Sequence, residues 1–392
     1  MTAAVYLTRA AKFLPNNPVD NDNMEEVLGM IGGKPSRARK ITLRNNGIRT
    51  RYYAISRYTG ELRYTNAQLT AEAVRALTDD EFQLDDIQLL SCGTSSPDQV
   101  LPNHALMVHG ELGNQPCETS ASSGICLAGL LAMKYGYMAI AAGLARNAVT
   151  TGSELFSTLL RAQNFTPESD AKVDELEREP GLAFGKDFLR WMLSDGAGAI
   201  LLSDTPNAHG LSMRIDWIEM RSYANEYETC MYLGTTKQAD GSMRGWRENT
   251  SLQDAVDSGA FAFEQDVKLL NPNITPVLVG RGLPDILKQH KLDPDEVDWF
   301  LPHFSSYHFH PILQQCLRDI GFEIPAQRWF TNLERVGNVG AASMYLMVEE
   351  LLNGGRCRAG DVVLCFVPES GRFSTGFMKM TVVDGSGSAG RH

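Results

Sequence analysis

Between Leu127 and Ala145 the chain carries one charge, Lys134, and its other side chains are mostly small or apolar. A helix that is apolar on every side is buried inside a large domain. Its alanines and glycines let neighbouring backbones come close, so the run predicts a central helix on which other layers pack. Lys134 and the glycines argue against a membrane span. The run is entered through Ser120-Ala-Ser-Ser-Gly-Ile-Cys126, which sets a thiol at the helix N-terminus. The positive end of the helix dipole is expected to lower the pKa of such a thiol. Cys126 alone allows two readings, a buried structural cysteine or a nucleophile that holds an acyl group.

A chain of 392 residues has room for two domains or one duplicated unit. With 43% hydrophobic and 21% charged residues it has the make-up of an ordinary soluble globular protein. No secretory signal pattern is present, since Met1-Thr-Ala-Ala-Val-Tyr runs directly into a strand-like segment. The seven cysteines are scattered, with neither CxxC nor Cys/His metal spacing. That pattern points to a reducing cytoplasm and away from disulfides or a metal site. A net charge of −11 disfavours nucleic acid as the main partner. Locally the sign reverses: Lys34, Arg37, Arg39, Lys40, Arg44, Arg49 and Arg51 follow one another without an acidic residue. The stretch is either a solvated face or a dock for an anionic partner, such as coenzyme A phosphates or an acidic carrier protein.

In chain order, residues 3–13 read as an edge or hairpin strand, and Asp22 or Asn23 as the cap of a short helix through 30. An amphipathic helix is expected over 66–82, a buried strand ending at Thr94, and a helix over 103–113. Residues 146–152 read as a strand closed by Ser153 and Glu154, and 194–202 as a turn and strand. The long polar stretch 157–192 is expected to be an insertion that covers something or meets a partner subunit. Pro206-Asn-Ala-His-Gly210 divides the chain into 1–205 and 206–384, and 385–392 is a Gly/Ser-rich flexible tail.

The second half repeats the first. Asp295 to His303 follows the pattern of Asp85 to Thr94, an acidic turn feeding an apolar strand. Gly337-Asn-Val-Gly-Ala-Ala-Ser-Met stands where the cysteine element stood, again a tight turn opening a small-residue helix. Val362 to Val367 and Gly371 to Met380 match 147–153 and 194–202. Two halves with corresponding landmarks imply internal duplication and a pseudo-two-fold axis, on which equivalent loop ends converge.

Cys126, His303 and Asn338, with Leu127-Ala-Gly, Gly152-Ser153, Asp195-Gly-Ala-Gly-Ala and Asp298-Trp-Phe-Leu-Pro-His303, resemble the Cys-His-Asn set of the ketosynthase III group. That group belongs to the thiolase-like superfamily, and the resemblance spans nearly the whole chain. It implies a five-layer αβαβα fold of the α/β class, a homodimer, and an acyl-Cys126 intermediate. His303 and Asn338 would stabilise an enolate or oxyanion as neutral donors. The N–H groups of Cys126 and Gly371 would form the oxyanion hole. Arg37, Arg49 and Arg51 would bind carrier or coenzyme phosphates near the tunnel mouth. No metal or resident cofactor is implied, since acyl groups arrive on acyl carrier protein phosphopantetheine or coenzyme A. No nucleic-acid or membrane partner is implied either.

Departures from the group narrow the resemblance. Phe304-Ser-Ser306 replaces the usual Gln-Ala-Asn after the histidine, and Pro368-Glu-Ser-Gly-Arg372 replaces the three glycines. Together with Val19-Asp-Asn-Asp-Asn-Met-Glu-Glu these are similar to DarB-type ketosynthases and the ketosynthase/cyclase of bacterial stilbene formation. Such a likeness implies joining a β-ketoacyl thioester to an α,β-unsaturated one by Michael addition and Claisen closure. The product would be a cyclohexanedione precursor of dialkylresorcinols or stilbenes. A base would then be needed, and Glu154 is the candidate, the alternative being a structural ion pair. Arg372 would hold an enolate or carboxylate. The rival functions are a chain-initiating synthase III using malonyl carrier protein and an acyltransferase on the same scaffold.

Overall fold

The computed structural model describes residues 3–165, 178 and 189–385. Among them, nine strands form one hydrogen-bonded sheet. They are β1 (Tyr6–Phe13), β2 (Leu89–Thr94), β3 (Glu118–Ser123), β4 (Asn147–Glu154), β5 (Gly196–Ser203), β6 (Leu211–Ser222), β7 (Trp299–Pro302), β8 (Val362–Glu369) and β9 (Ser374–Asp384). Their spatial order is β7-β8-β9-β6-β1-β5-β4-β2-β3. In the first half β1 is antiparallel to β5, β5 is antiparallel to β4, and β4 is parallel to β2. The second half repeats this pairing, with β6 antiparallel to β9, β9 antiparallel to β8, and β8 parallel to β7. Outside β2 the first half adds β3 in parallel, whereas the second has a single parallel bridge from Phe300 to Trp329. The half-sheets join where Tyr6 and Leu7 pair with Arg214 and Met213.

Strand periodicity builds the layers. Along β8, Val363, Cys365 and Val367 face a core shared with Met344 and Val348, while Leu364 and Phe366 face Ile286, Leu313 and Leu317. Along β5, Ile200 and Leu202 face Leu130 and Met133, while Ala199 and Leu201 face Leu69, Val74 and Val108. Both faces of each half-sheet are therefore covered, as their near-continuous apolar strands require. Outer helices lie on either side, and the first central helix (Leu127–Ala141) and the second (Ser343–Asn353) lie between the half-sheets. The result is the five-layer αβαβα order.

Small residues at the centre have a steric cause. The carbonyl oxygen of Ala341, in the turn opening the second central helix, lies where a Cβ on either Gly129 or Gly152 would overlap it. Tyr345 Oη then donates to the Gly129 carbonyl at 2.8 Å.

Several expectations are corrected. β1 is central, not an edge, because its two charged side chains find carboxylates instead of water: Arg9 pairs with Asp79 and Glu81, and Lys12 with Glu349 at 2.6 Å. The helix expected over 66–82 ends at Arg75, since Asp79 Oδ1 accepts from Glu81 and Phe82 N–H and closes a turn. The short helix expected through 30, capped by Asp22 or Asn23, runs Met24–Leu28 with Asn23 at its N-cap position and no side-chain cap, because the Asn23 amide and the N–H groups of Asp22 and Asn23 all donate to the Asp20 carboxylate. The first central helix is not buried all round, for Leu131, Tyr135 and Met138 form an exposed stripe beside β3. The flanks of the 157–192 stretch pack inward through Phe156, Leu160, Leu189 and Leu193. Apart from residue 178, positions 166–188 lie outside the described residues, as does the tail beyond Gly385. No helix among the described residues is long and apolar enough to cross a membrane.

Candidate active site

The C-terminal ends of β4, β7 and β8 and the N-termini of both central helices meet around one chamber. Cys126, His303 and Asn338, drawn from three distant segments, all line it. Its other walls are largely apolar, with Phe156, Leu193, Leu270, Phe309, Leu313 and Phe366 among them.

His303 follows β7, and its backbone N–H donates to the Phe366 carbonyl at 2.8 Å, which extends the β7–β8 register by one bond. Burial lowers its pKa to about 4, so at neutral pH the imidazole is uncharged. Asn338 is held on three sides. Its N–H donates to the Met192 carbonyl (3.1 Å), its carbonyl accepts from Ser194 N–H (2.9 Å), and Oδ1 accepts from Gly340 N–H (3.0 Å). That leaves Nδ2 as the donor for a bound ligand. Gly337 before it has φ of 74° and packs against Ser194 and Arg51, so only glycine fits this turn.

The expected activation of Cys126 by its helix is overturned. Its thiol pKa is raised well above the ordinary value, first by burial and then by the carboxylates of Glu369 and Glu154. The cause is visible at the helix end. Glu369 Oε2 accepts from the N–H groups of Ile125 and Leu127, each at 3.0 Å, on either side of the cysteine. The positive pole that would stabilise a thiolate is thus occupied by a carboxylate of the protein itself. Glu369 did not stand out in the sequence. The internal repeat carried the signal, because β4 and β8 are both eight residues long and end in Glu154 and Glu369.

Glu154 is fully buried and does not line the chamber. Its carboxylate accepts from Ser95 Oγ (2.7 Å), Ser96 Oγ (2.6 Å), Ser95 N–H and Ala341 N–H (3.0 Å). With its lone pairs taken it does not suit the role of base expected of it; instead it ties β4 to the turn before the second central helix. Burial raises its pKa from 4.5 to about 7 against those hydrogen bonds. Between these values the folded chain keeps a proton that the unfolded chain has lost, so stability falls as pH rises through the window. Compared with Glu154→Gln, the native protein should lose up to about 3 kcal/mol between pH 4.5 and 7.5 in urea unfolding. Unfolding curves that keep a constant separation across that range would show that Glu154 is ionised in the fold.

Arg372 is exposed and its Nε donates to the Tyr227 carbonyl at 3.0 Å, outside the chamber, so it does not face a bound enolate. Gly371 has no room for a side chain, which would meet Ile125, and its carbonyl accepts from Cys230 and Met231 N–H. The adjacent Ser370 lines the chamber. Asp195, from the family-like motif, accepts from Phe156 N–H at 2.7 Å and Ala54 N–H at 2.7 Å, and so fixes a wall residue.

The basic stretch is not exposed throughout. Arg51 is fully buried, bonds to Asn21 Oδ1 (2.8 Å) and the Trp191 carbonyl (3.3 Å), and burial lowers its pKa. It cannot meet a phosphate. Arg39 pairs with Glu25 at 3.1 Å. Arg37, in the first turn of the helix Arg37–Asn46, and Arg49, paired with Glu334 at 2.7 Å, remain at the surface. Sequence reasoning also missed Met231, Phe263, Gln265 and Ile274, chamber walls supplied by the region after β6.

Residues 287–376 match the family model described as 3-oxoacyl-[acyl-carrier-protein (ACP)] synthase III C terminal. A relative from Deinococcus radiodurans, the beta-ketoacyl-[acyl-carrier-protein] synthase III 2, is 27% identical over 72% of this chain and 70% of its own. Among solved structures, the tetronic acid condensing enzyme AbyA1 superposes with a TM-score of 0.72 at 22% identity, covering 96% of this chain and 99% of its own. The 3-oxoacyl-[acyl-carrier-protein] synthase III of Aquifex aeolicus gives 0.69 at 17% identity, with 96% and 99% covered. The mixed α/β fold is thiolase-like over its full length.

Proposed function

We propose that this chain, a β-ketoacyl synthase III-like condensing enzyme, joins two acyl thioesters through an acyl-Cys126 intermediate and closes the product into a ring. The observation that carries this reading is the meeting of Cys126, His303 and Asn338 in one largely apolar chamber. Cys126 Sγ attacks the first thioester carbonyl, and the N–H groups of Cys126 and Gly371 receive the oxyanion. The C–S bond of the donor breaks and its thiol leaves with the proton. Neutral His303 and Asn338 Nδ2 then hydrogen-bond the enolate oxygen of the β-ketoacyl partner. Its activated carbon adds to the β-carbon of the α,β-unsaturated partner, which is the Michael step; the neutral imidazole of His303 relays the proton lost from that carbon to the partner's α-carbon, and the proton of the second enolisation leaves with the expelled thiol. A second enolate closes on that partner's thioester carbonyl and expels its thiol, leaving a cyclohexanedione that carries the remaining acyl thioester. Hydrolysis of that thioester gives the carboxylated precursor of dialkylresorcinols or stilbenes.

The carriers are acyl carrier protein or coenzyme A, with Arg37 and Arg49 as the surface groups for their phosphates. The exposed stripe of Leu131, Tyr135 and Met138, beside the outer edge of β3, which has no strand partner among the described residues, supports a homodimer. This reading carries with it a cytoplasmic site of action. Decarboxylative condensation on malonyl carrier protein is the competing reading, favoured by the description of the matching family model. Supplying a β-ketoacyl and an enoyl thioester together should yield the cyclic dione by mass, with little condensation on malonyl carrier protein. Efficient malonyl condensation without a cyclic product would replace this reading by the chain-initiating one.

A further inference from the structure

Each half of the molecule ends an equivalent strand in a glutamate that reaches across to the central helix of the other half. Glu154, closing β4, accepts from Ala341 N–H at the turn before the second helix. Glu369, closing β8, accepts from Ile125 and Leu127 N–H at the start of the first. The two differ in what remains. Glu154 is fully buried and also holds two serine hydroxyls. Glu369 engages only Oε2 in the bonds described, and its neighbours Pro368 and Ser370 both line the chamber.

We infer that Glu369 is a positioning residue for the nucleophile: by occupying the helix N-terminus with its own carboxylate it keeps Cys126 a neutral thiol in the resting enzyme. The inference rests on Cys126 being the acylated residue, as proposed above. The titratable groups that face the thiol are Glu369 from β8, Glu154 from β4 and His303 after β7. No lysine or arginine lines the chamber among the described residues. The Glu369 carboxyl and an uncharged imidazole leave a thiolate without a cation, and Glu369 already holds the N–H groups on either side of Cys126, so that only the cysteine's own N–H still favours the thiolate. Acylation then carries the thiol proton with the exchange. The Sγ–C bond forms, the donor C–S bond breaks, and the proton ends on the departing pantetheine or coenzyme thiol. A neutral thiol also resists oxidation and stray alkylation between turnovers.

The test needs no substrate, so its outcome is independent of which condensation the enzyme performs. Iodoacetamide alkylation is followed against pH for the native protein, Glu369→Gln and Glu369→Asp, with the adduct located on Cys126 by peptide mass spectrometry. The native midpoint should lie above the ordinary thiol value of about 8.5. Glu369→Gln should lower it by about one pH unit or more, which is roughly tenfold faster alkylation at pH 7.5. Glu369→Asp should stay closer to the native profile. A Gln profile that superposes on the native one, an Asp profile no nearer to it than Gln's, or a native midpoint below about 8 overturns the inference. Should the Gln variant fail to fold, Glu369→Ala takes its place in the comparison with the native and Asp profiles, and a native midpoint below about 8 still overturns the inference. Loss of an acyl adduct on Cys126 with these profiles intact would instead overturn the proposed function.

Discussion

Cys126→Ala should form no acyl-enzyme and should lose condensation by on the order of 10³-fold or more, because no other thiol lines the chamber among the described residues. Of the seven free cysteines, Cys126 is the one that lines it. Intact-protein mass after treatment with an acyl thioester is the direct measurement, and circular dichroism confirms that the variant folds. Partner variants separate the two halves of the reaction. His303→Ala and Asn338→Ala should still take up the acyl group, since both act on the second substrate, yet fail to form the carbon–carbon bond. An adduct that persists in Cys126→Ala, or that maps to the half-buried Cys117, would remove Cys126 from the mechanism.

Gly152→Ala should be strongly destabilising. A Cβ there overlaps the Ala341 carbonyl and crowds the Tyr345 ring, and Gly129 closes on the same carbonyl from the first central helix. Neither neighbour is the loose end of a flexible side chain, so the turn Gly340–Ala342 has to move. Overpacking of this kind costs about 3 kcal/mol at the upper end of the usual range. The displaced turn also carries Ala341 N–H off Glu154 and disturbs Gly340 N–H, which orients Asn338. Condensation should therefore fall further than stability alone explains, while the melting temperature drops by on the order of 5 °C. Gly110→Ala is the matched control, because nothing lies near its added methyl on an exposed helix face. It should be neutral or slightly stabilising. Equal melting temperatures for the two variants would mean that the central helices yield more readily than their contacts imply.

What the chain wrote locally was legible. Alternating apolar strands, glycine-rich turns and an uncharged small-residue run are short-range signals, and they specified an α/β fold with a buried helix at its centre. The duplication was legible too, since β2 and β7, β4 and β8, and the two central helices occupy equivalent positions. Cys126, His303 and Asn338 stood out as landmarks because each ends or opens one of those repeated elements, and the resemblance to the ketosynthase III group made them a set.

Charge and protonation were not, because they depend on burial and on partners far along the chain. Glu369 lies 244 residues from the Ile125 N–H it accepts, and only the packed sheet brings β8 against the first central helix. Burial first, and then the same carboxylate, raise the Cys126 thiol pKa against the expected effect of that helix. Glu154 reads as a base next to a glycine-serine turn until four donors close on it. Arg51 reads as one of a basic run until the fold seals it against the Trp191 carbonyl. Periodicity and turn chemistry are properties of neighbouring residues, so the sequence alone determined the layers and marked the three segments whose residues line the chamber. Desolvation and hydrogen bonding across the two halves exist only once the layers are stacked, and tertiary structure alone decided how each ionisable group behaves.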